Sequence, residues 1–191
     1  MKANSAQMIA ARKLALSAGK QHRAEMRRLS KIREEVRKGV FPSLKKGLTD
    51  LCKKENIPGA EYEPLLRVIE LISPPGTGLS PSEIAAEIRA IYKKLCRSKN
   101  VHPVILAFAA IADDSISQAA KDMASAPKDP SGAVPRNVTA GSVVGADLTG
   151  FRVGYTLNRK WGYTVAQSIG MAIKWAGEYS SEGAEQGLPL I

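Results

Sequence analysis

The stretch LISPPGTGLSPSE, residues 71–83, decides between two folds. As a phosphate-cradling loop, its Pro-Pro-Gly-Thr-Gly core would join a buried strand to a helix and make the chain an α/β nucleotide hydrolase. Such a loop needs Gly-x-x-x-x-Gly-Lys-Ser/Thr, because the lysine neutralises the terminal phosphates and the following hydroxyl holds magnesium. The matching frame here runs from Ser73 to Ser80, with Ser73 at the first glycine and Leu79 at the lysine. The other reading treats the same residues as punctuation between helices. Ser80 caps a helix, Pro81 suits its first turn and Glu83 completes a capping box. The glycines then have a sufficient role as an interhelix turn, and the fold is helical.

The residues that follow support the helical reading. Ile84, Ile88, Ile91 and Leu95 recur at steps of four, three and four, which places them on one face. Lys93, Lys94, Arg97 and Lys99 complement the dipole at the far end, before Asn100. Pro103 opens a more buried helix reaching to about Met123. Its run VILAFAAIADD ends in Asp113-Asp114 like a magnesium-binding strand end, but Ser-Ile-Ser-Gln-Ala-Ala-Lys continues it at helical spacing.

On the N-terminal side, Leu65 to Ile72 reads as a brief helix ended by Ser73-Pro74-Pro75. NIPGAEYEP reads as a turn, and residues 43–55 as a helix turning Leu44, Leu48, Leu51 and Cys52 inward. Phe41-Pro42 closes a longer helix over residues 20–40, since a residue before proline is pushed out of the helical region. Met26, Leu29, Ile32, Val36 and Val40 form its apolar stripe, while Lys20, Arg23, Arg27, Lys31 and Lys38 lie nearly opposite. A short helix over 7–18 precedes it, interrupted at Gly19.

Towards the C-terminus, residues 127–150 are rich in Pro, Gly, Ser, Thr and Val. They read as a long loop with extended pieces around Val134 to Val144. In FRVGYTLNRKWGY the alternation of Phe151, Val153, Tyr155 and Leu157 predicts a short strand or extended segment. Thr164 with Gln167 is a second capping box, before a helix carrying Val165, Ile169, Ala172, Ile173 and Ala176. The final SSEGAEQGLPLI reads as a flexible tail unless Leu188, Leu190 and Ile191 dock onto another surface.

The expected fold is therefore mainly α: a helical bundle body with a basic N-terminal helical arm, a long Gly/Pro-rich loop with short strands, and a flexible tail. The segments are an arm over 1–54, a helical core over 55–126, the loop and strands over 127–163, and the terminal helix and tail over 164–191. Residues 41–179 are expected to form one folded domain.

Charge is the strongest functional signal. The chain carries a net charge of +10, and residues 1–54 hold fifteen Lys and Arg against four acids. The rest holds thirteen basic and fourteen acidic side chains, so the whole excess sits in the first quarter. Such asymmetry points to a polyanionic partner engaged by one region. Each neutralised phosphate releases condensed counterions, which gives strong, salt-dependent and sequence-tolerant binding. A second surface is expected near Arg159, Lys160 and Trp161. Six of the ten aromatic residues lie between Phe151 and Tyr179 there, interleaved with cations that can clamp unpaired bases.

Signals for catalysis are thin. His22 and His102 share no motif with a Cys, Asp or Glu, and neighbouring helical aspartates such as Asp113 and Asp114 point apart. Cys52 and Cys96 show no ligand-like spacing and read as free thiols in a reducing compartment. No secretory signal is visible, because Arg12 and Lys13 break the only early apolar stretch. The sequon at Asn137 then reads as a chance match, and the expected location is cytoplasmic or within a virion. An organelle-targeting N-terminus is the competing reading, since no acid occurs before Glu25.

The function expected from sequence is a non-enzymatic nucleic-acid-binding structural protein, a coat or nucleocapsid-type subunit that polymerises on RNA, with RNA favoured over DNA. Phosphate contact is expected from Lys20, Arg23, Arg27, Arg28, Lys31 and Lys38, with Arg159, Lys160 and Trp161 as the second patch. No metal, cofactor or small-molecule substrate is expected. The alternatives are a DNA-binding regulator and a basic amphipathic protein acting on an anionic membrane or partner surface.

Overall fold

The computed structural model describes residues 5–21, 44–73, 78–125 and 140–186, and every regular element among them is a helix. In chain order these are α1 (Ser5–Leu16), α2 (Leu44–Lys54), α3 (Gly59–Ile72), α4 (Pro81–Arg97), α5 (Pro103–Ser125), α6 (Ala140–Lys160) and α7 (Val165–Gln186). The mainly helical expectation is met.

Both capping boxes form. The Ser80 hydroxyl accepts from the Glu83 backbone N–H at 3.3 Å, and the Glu83 carboxylate accepts from the Ser80 N–H at 2.8 Å. The Ser80 side-chain hydrogen bond holds the Glu83 carboxyl below its ordinary pKa. At the start of α7, the Gln167 N–H donates to Thr164 Oγ1 at 3.3 Å and the Thr164 N–H to Gln167 Oε1 at 3.0 Å. The ambiguous stretch is thus a helix boundary, although residues 74–77 lie outside the described set.

The centre of the molecule is α5, where every residue from Val104 to Ala112 is buried. A helix apolar on all sides must be surrounded, and α1, α3, α4, α6 and α7 all touch it. The core forms one cluster from Ala15 to Ala176. α1 contributes small side chains, Ala11 and Ala15, against α5 and α7, and Ala18 is buried just beyond it. Its turn falls at Ser17 rather than at Gly19, and helical backbone then resumes through Gln21. The expected helix over 20–40 lies outside the described residues beyond that point.

Four expectations change. α3 starts at Gly59, not Leu65, because the turn is completed by residue 58: Asn56 takes φ 55° and Pro58 is extended. Pro64 sits inside the helix without an N–H to donate. Burial of Leu65, Val68, Ile69, Leu71 and Ile72 offsets that loss. The expected loop over 127–150 gives way to helix from Ala140, while 126–139 lie outside the described residues. The strand expected over 151–157 is the middle of α6. Its inner face runs Val144, Asp147, Leu148, Phe151, Tyr155 and Asn158, all buried at helical steps. The C-terminal segment expected as a tail is helical as far as Gln186.

α6 and α7 form an antiparallel hairpin and touch more extensively than any other pair. Gly154 makes this approach possible, since a Cβ there would lie 2.8 Å from Trp175 Cβ and 3.1 Å from Ala172 Cα. No helix among the described residues is long and apolar enough to cross a membrane.

Candidate nucleic-acid interface

α6 ends in a tight, hydrogen-bonded turn. The Trp161 N–H donates to the Leu157 carbonyl at 3.0 Å, Gly162 to Arg159 at 3.2 Å and Tyr163 to Asn158 at 3.1 Å. Gly162 holds φ 87°, a left-handed conformation that terminates a helix at little cost only in glycine. The turn leaves Trp161 62 % exposed, with Tyr163 39 % exposed beside it. Burying both rings is the ordinary outcome, so their exposure on an ordered turn marks this end of the molecule.

Arg159 fixes the turn from beneath. Its Nε donates to Glu55 Oε1 at 2.7 Å and its Nη2 to Glu55 Oε2 at 3.2 Å, a bidentate pair across 104 residues of sequence. Its Nη1 donates to the Tyr163 carbonyl at 2.7 Å. The Glu55 hydrogen bond raises the Arg159 pKa further. Tyr155 lies against the same pair, and its hydroxyl pKa is raised first by burial and then by the Glu55 carboxylate.

The ion pair also ties the end of α2 to the end of α6. Lys53 and Lys54 immediately precede Glu55 and are exposed, as is Lys160. The result is a hydrogen-bonded tip with two exposed aromatic residues, Trp161 and Tyr163, and the exposed Lys53, Lys54 and Lys160. Of the sequence-based candidates, Lys160 and Trp161 face solvent here, whereas Arg159 spends three N–H groups inward. Lys20 is exposed at the end of the helical backbone that follows α1. Arg23, Arg27, Arg28, Lys31 and Lys38 lie outside the described residues. Sequence reasoning passed over Lys53 and Lys54, which their terminal doublet in an amphipathic helix signals.

Beside the tip, α1 and the starts of α3 and α5 enclose an open groove of about 380 Å³, lined by Met8, Ile9, Arg12, Ile57, Lys99 and His102 among others. Arg12 is committed to the end of α4 and the two residues after it, donating to the carbonyls of Cys96, Ser98 and Lys99 at 3.2, 2.9 and 3.3 Å. The His102 N–H donates to Glu61 Oε2 at 2.9 Å, and His102 Nδ1 accepts from the Val104 N–H at 3.2 Å. Cys52 is buried, which pushes its thiol pKa up to about 12 and leaves it a poor nucleophile. Among the described residues no three His, Cys, Asp or Glu side chains form a metal-ligand set.

His102 supplies a pH test of this end of the fold. Burial lowers its pKa below the ordinary 6.5 and Arg159 lowers it further, while Glu55 and Glu61 act in the opposite direction. The unfolded chain then takes up this proton more readily than the folded one. The stability linked to His102 is full above pH 6.5 and is lost as pH falls below it. His102→Asn, whose Oδ1 keeps an acceptor for the Val104 N–H, should flatten that part of the profile in denaturant melts at pH 7.5, 6.5 and 5.5. Parallel profiles for the two proteins would reject the assignment.

Comparison of the chain with protein-family models, curated proteins and solved structures finds no match.

Proposed function

We propose that the chain is a non-enzymatic nucleic-acid-binding structural protein, a coat or nucleocapsid-type subunit that polymerises on RNA through sequence-independent phosphate contacts. The observation that carries this reading is the segregation of charge, with fifteen Lys and Arg against four acids in residues 1–54. The described part of that region is consistent with it. Lys13, Lys20, Lys45, Lys46, Lys53 and Lys54 are all exposed. Among the described residues only Lys45 of these reaches a carboxylate, Glu70 at 3.8 Å. Cations left to solvent over two helices suit an extended polyanion better than a compact anionic ligand.

The test is light scattering and the 260/280 nm absorbance ratio of the natively purified protein, before and after nuclease. Large particles rich in nucleic acid, which shrink or reorganise under nuclease or high salt, are the expected result. A nucleic-acid-free monomer or dimer would reject packaging. Tight binding of one duplex sequence at moderate salt would then indicate a DNA-binding regulator.

A further inference from the structure

We infer that the α6–α7 tip is a stacking platform for unpaired nucleobases, with Trp161 as the ring that meets the base and Arg159 as a positioning residue beneath it. This rests on the nucleic-acid reading and narrows it, because phosphate contact alone does not separate single strands from duplexes. Trp161 presents 62 % of its surface on a turn whose three successive N–H groups are all bonded. A flat π-surface held outward binds another flat π-surface with little further loss of conformational freedom. Paired bases are already stacked inside a helix and offer no free face, so the ligand is single-stranded.

Charge selects the same ligand over an apolar protein partner. Lys160 precedes the ring, and the Glu55–Arg159 pair at 2.7 Å brings exposed Lys53 and Lys54 to the same end of the molecule. A strand laid across the tip would put bases on the ring and phosphates among the ammonium groups. Tyr163, 39 % exposed two residues on, provides a second ring beside the same path. Arg159 does not reach for phosphate in this scheme. Its bonds to Glu55 and to the Tyr163 carbonyl fix the backbone on either side of Trp161.

The experiment measures the affinity of the full chain for an unstructured 20-nucleotide oligouridylate and for a 20-base-pair RNA duplex, alongside tryptophan fluorescence. Trp161→Ala should lose about tenfold to a hundredfold in affinity for the single strand. Duplex affinity should hold, and Trp161→Phe should retain most single-strand binding. Fluorescence of the native protein should be quenched by the single strand and not by the duplex, and the quench should vanish in Trp161→Phe. In a Trp175→Phe background, Arg159→Ala should increase the rotational freedom of Trp161 in time-resolved anisotropy, and Arg159→Lys should partly restore order.

Equal loss for both ligands, or none for either, would overturn the stacking platform while leaving phosphate binding intact. Unchanged oligonucleotide affinity with smaller particles would overturn it in favour of a subunit contact. Failure of the native protein to bind either RNA would remove the nucleic-acid reading itself. Because Trp161 is solvent-exposed, its own variants are expected to fold, and circular dichroism of every variant, with the phenylalanine variant, guards against a structural loss.

Discussion

Gly154→Val should destabilise the protein by about 3 kcal/mol, near the top of the range for overpacked cores. The midpoint of thermal unfolding should fall by roughly 6–12 °C for a domain of this size. A first side-chain carbon at this position would stand 2.8 Å from Trp175 Cβ and Cγ and 3.1 Å from Ala172 Cα. The last of these is backbone, so the strain cannot be relieved by a rotamer change and must part α6 from α7. Gly154→Ala decides between two effects. Helix propensity alone would make alanine about 1 kcal/mol more stable than glycine, whereas the close approach makes it less stable. The expected stability order is glycine, then alanine, then valine, read from urea melts with unchanged slope. An alanine variant more stable than the native protein would show that the hairpin is looser than described.

The combined variant Arg23→Ala, Arg27→Ala and Lys31→Ala should lose about two decades of affinity for single-stranded RNA near 0.1 M salt. Each phosphate contact on a single strand contributes about 0.7 to the slope of log affinity against log salt. Removing three lowers that slope by roughly 2, and one decade of salt below 1 M turns this into about a hundredfold. The loss should be alike for all sequences, because counterion release is blind to bases. Unchanged affinity with an unchanged slope would show that this segment is not the phosphate-binding arm. A loss confined to one sequence would point instead to base readout.

What could be read from sequence was local. The starts of α4 and α7 were legible because Ser80 with Glu83, and Thr164 with Gln167, are three residues apart and need no partner elsewhere. The burial of α5 was legible because a run such as VILAFAAIA has no polar face to expose. The centre of α6 was misread for the opposite reason. Phe151, Val153, Tyr155 and Leu157 mimic an alternating strand, while the true inner face includes Asp147, Gly154 and Asn158, which hydrophobic patterning does not register. Asn158 is buried there and donates to the Gly154 carbonyl at 2.6 Å. Half of the tip was legible as well: Lys160 and Trp161 stand out as a cation and a ring before a glycine. The task of Arg159 was not, because its partner Glu55 lies 104 residues away in sequence.

The register of the α6–α7 hairpin gives the molecule a direction. Gly154 faces Ala172 and Trp175 symmetrically about the turn, so the start of α6 and the end of α7 come together at the far end. Helices of 21 and 22 residues place that end about 30 Å from Trp161. Ala140 and Gln186 therefore lie at the opposite pole from the aromatic tip. In a polymer whose subunits all set the tip on one strand, every such pole would face away from the nucleic acid. The α6–α7 hairpin would then hold Ala140 and Gln186 about 30 Å from that strand.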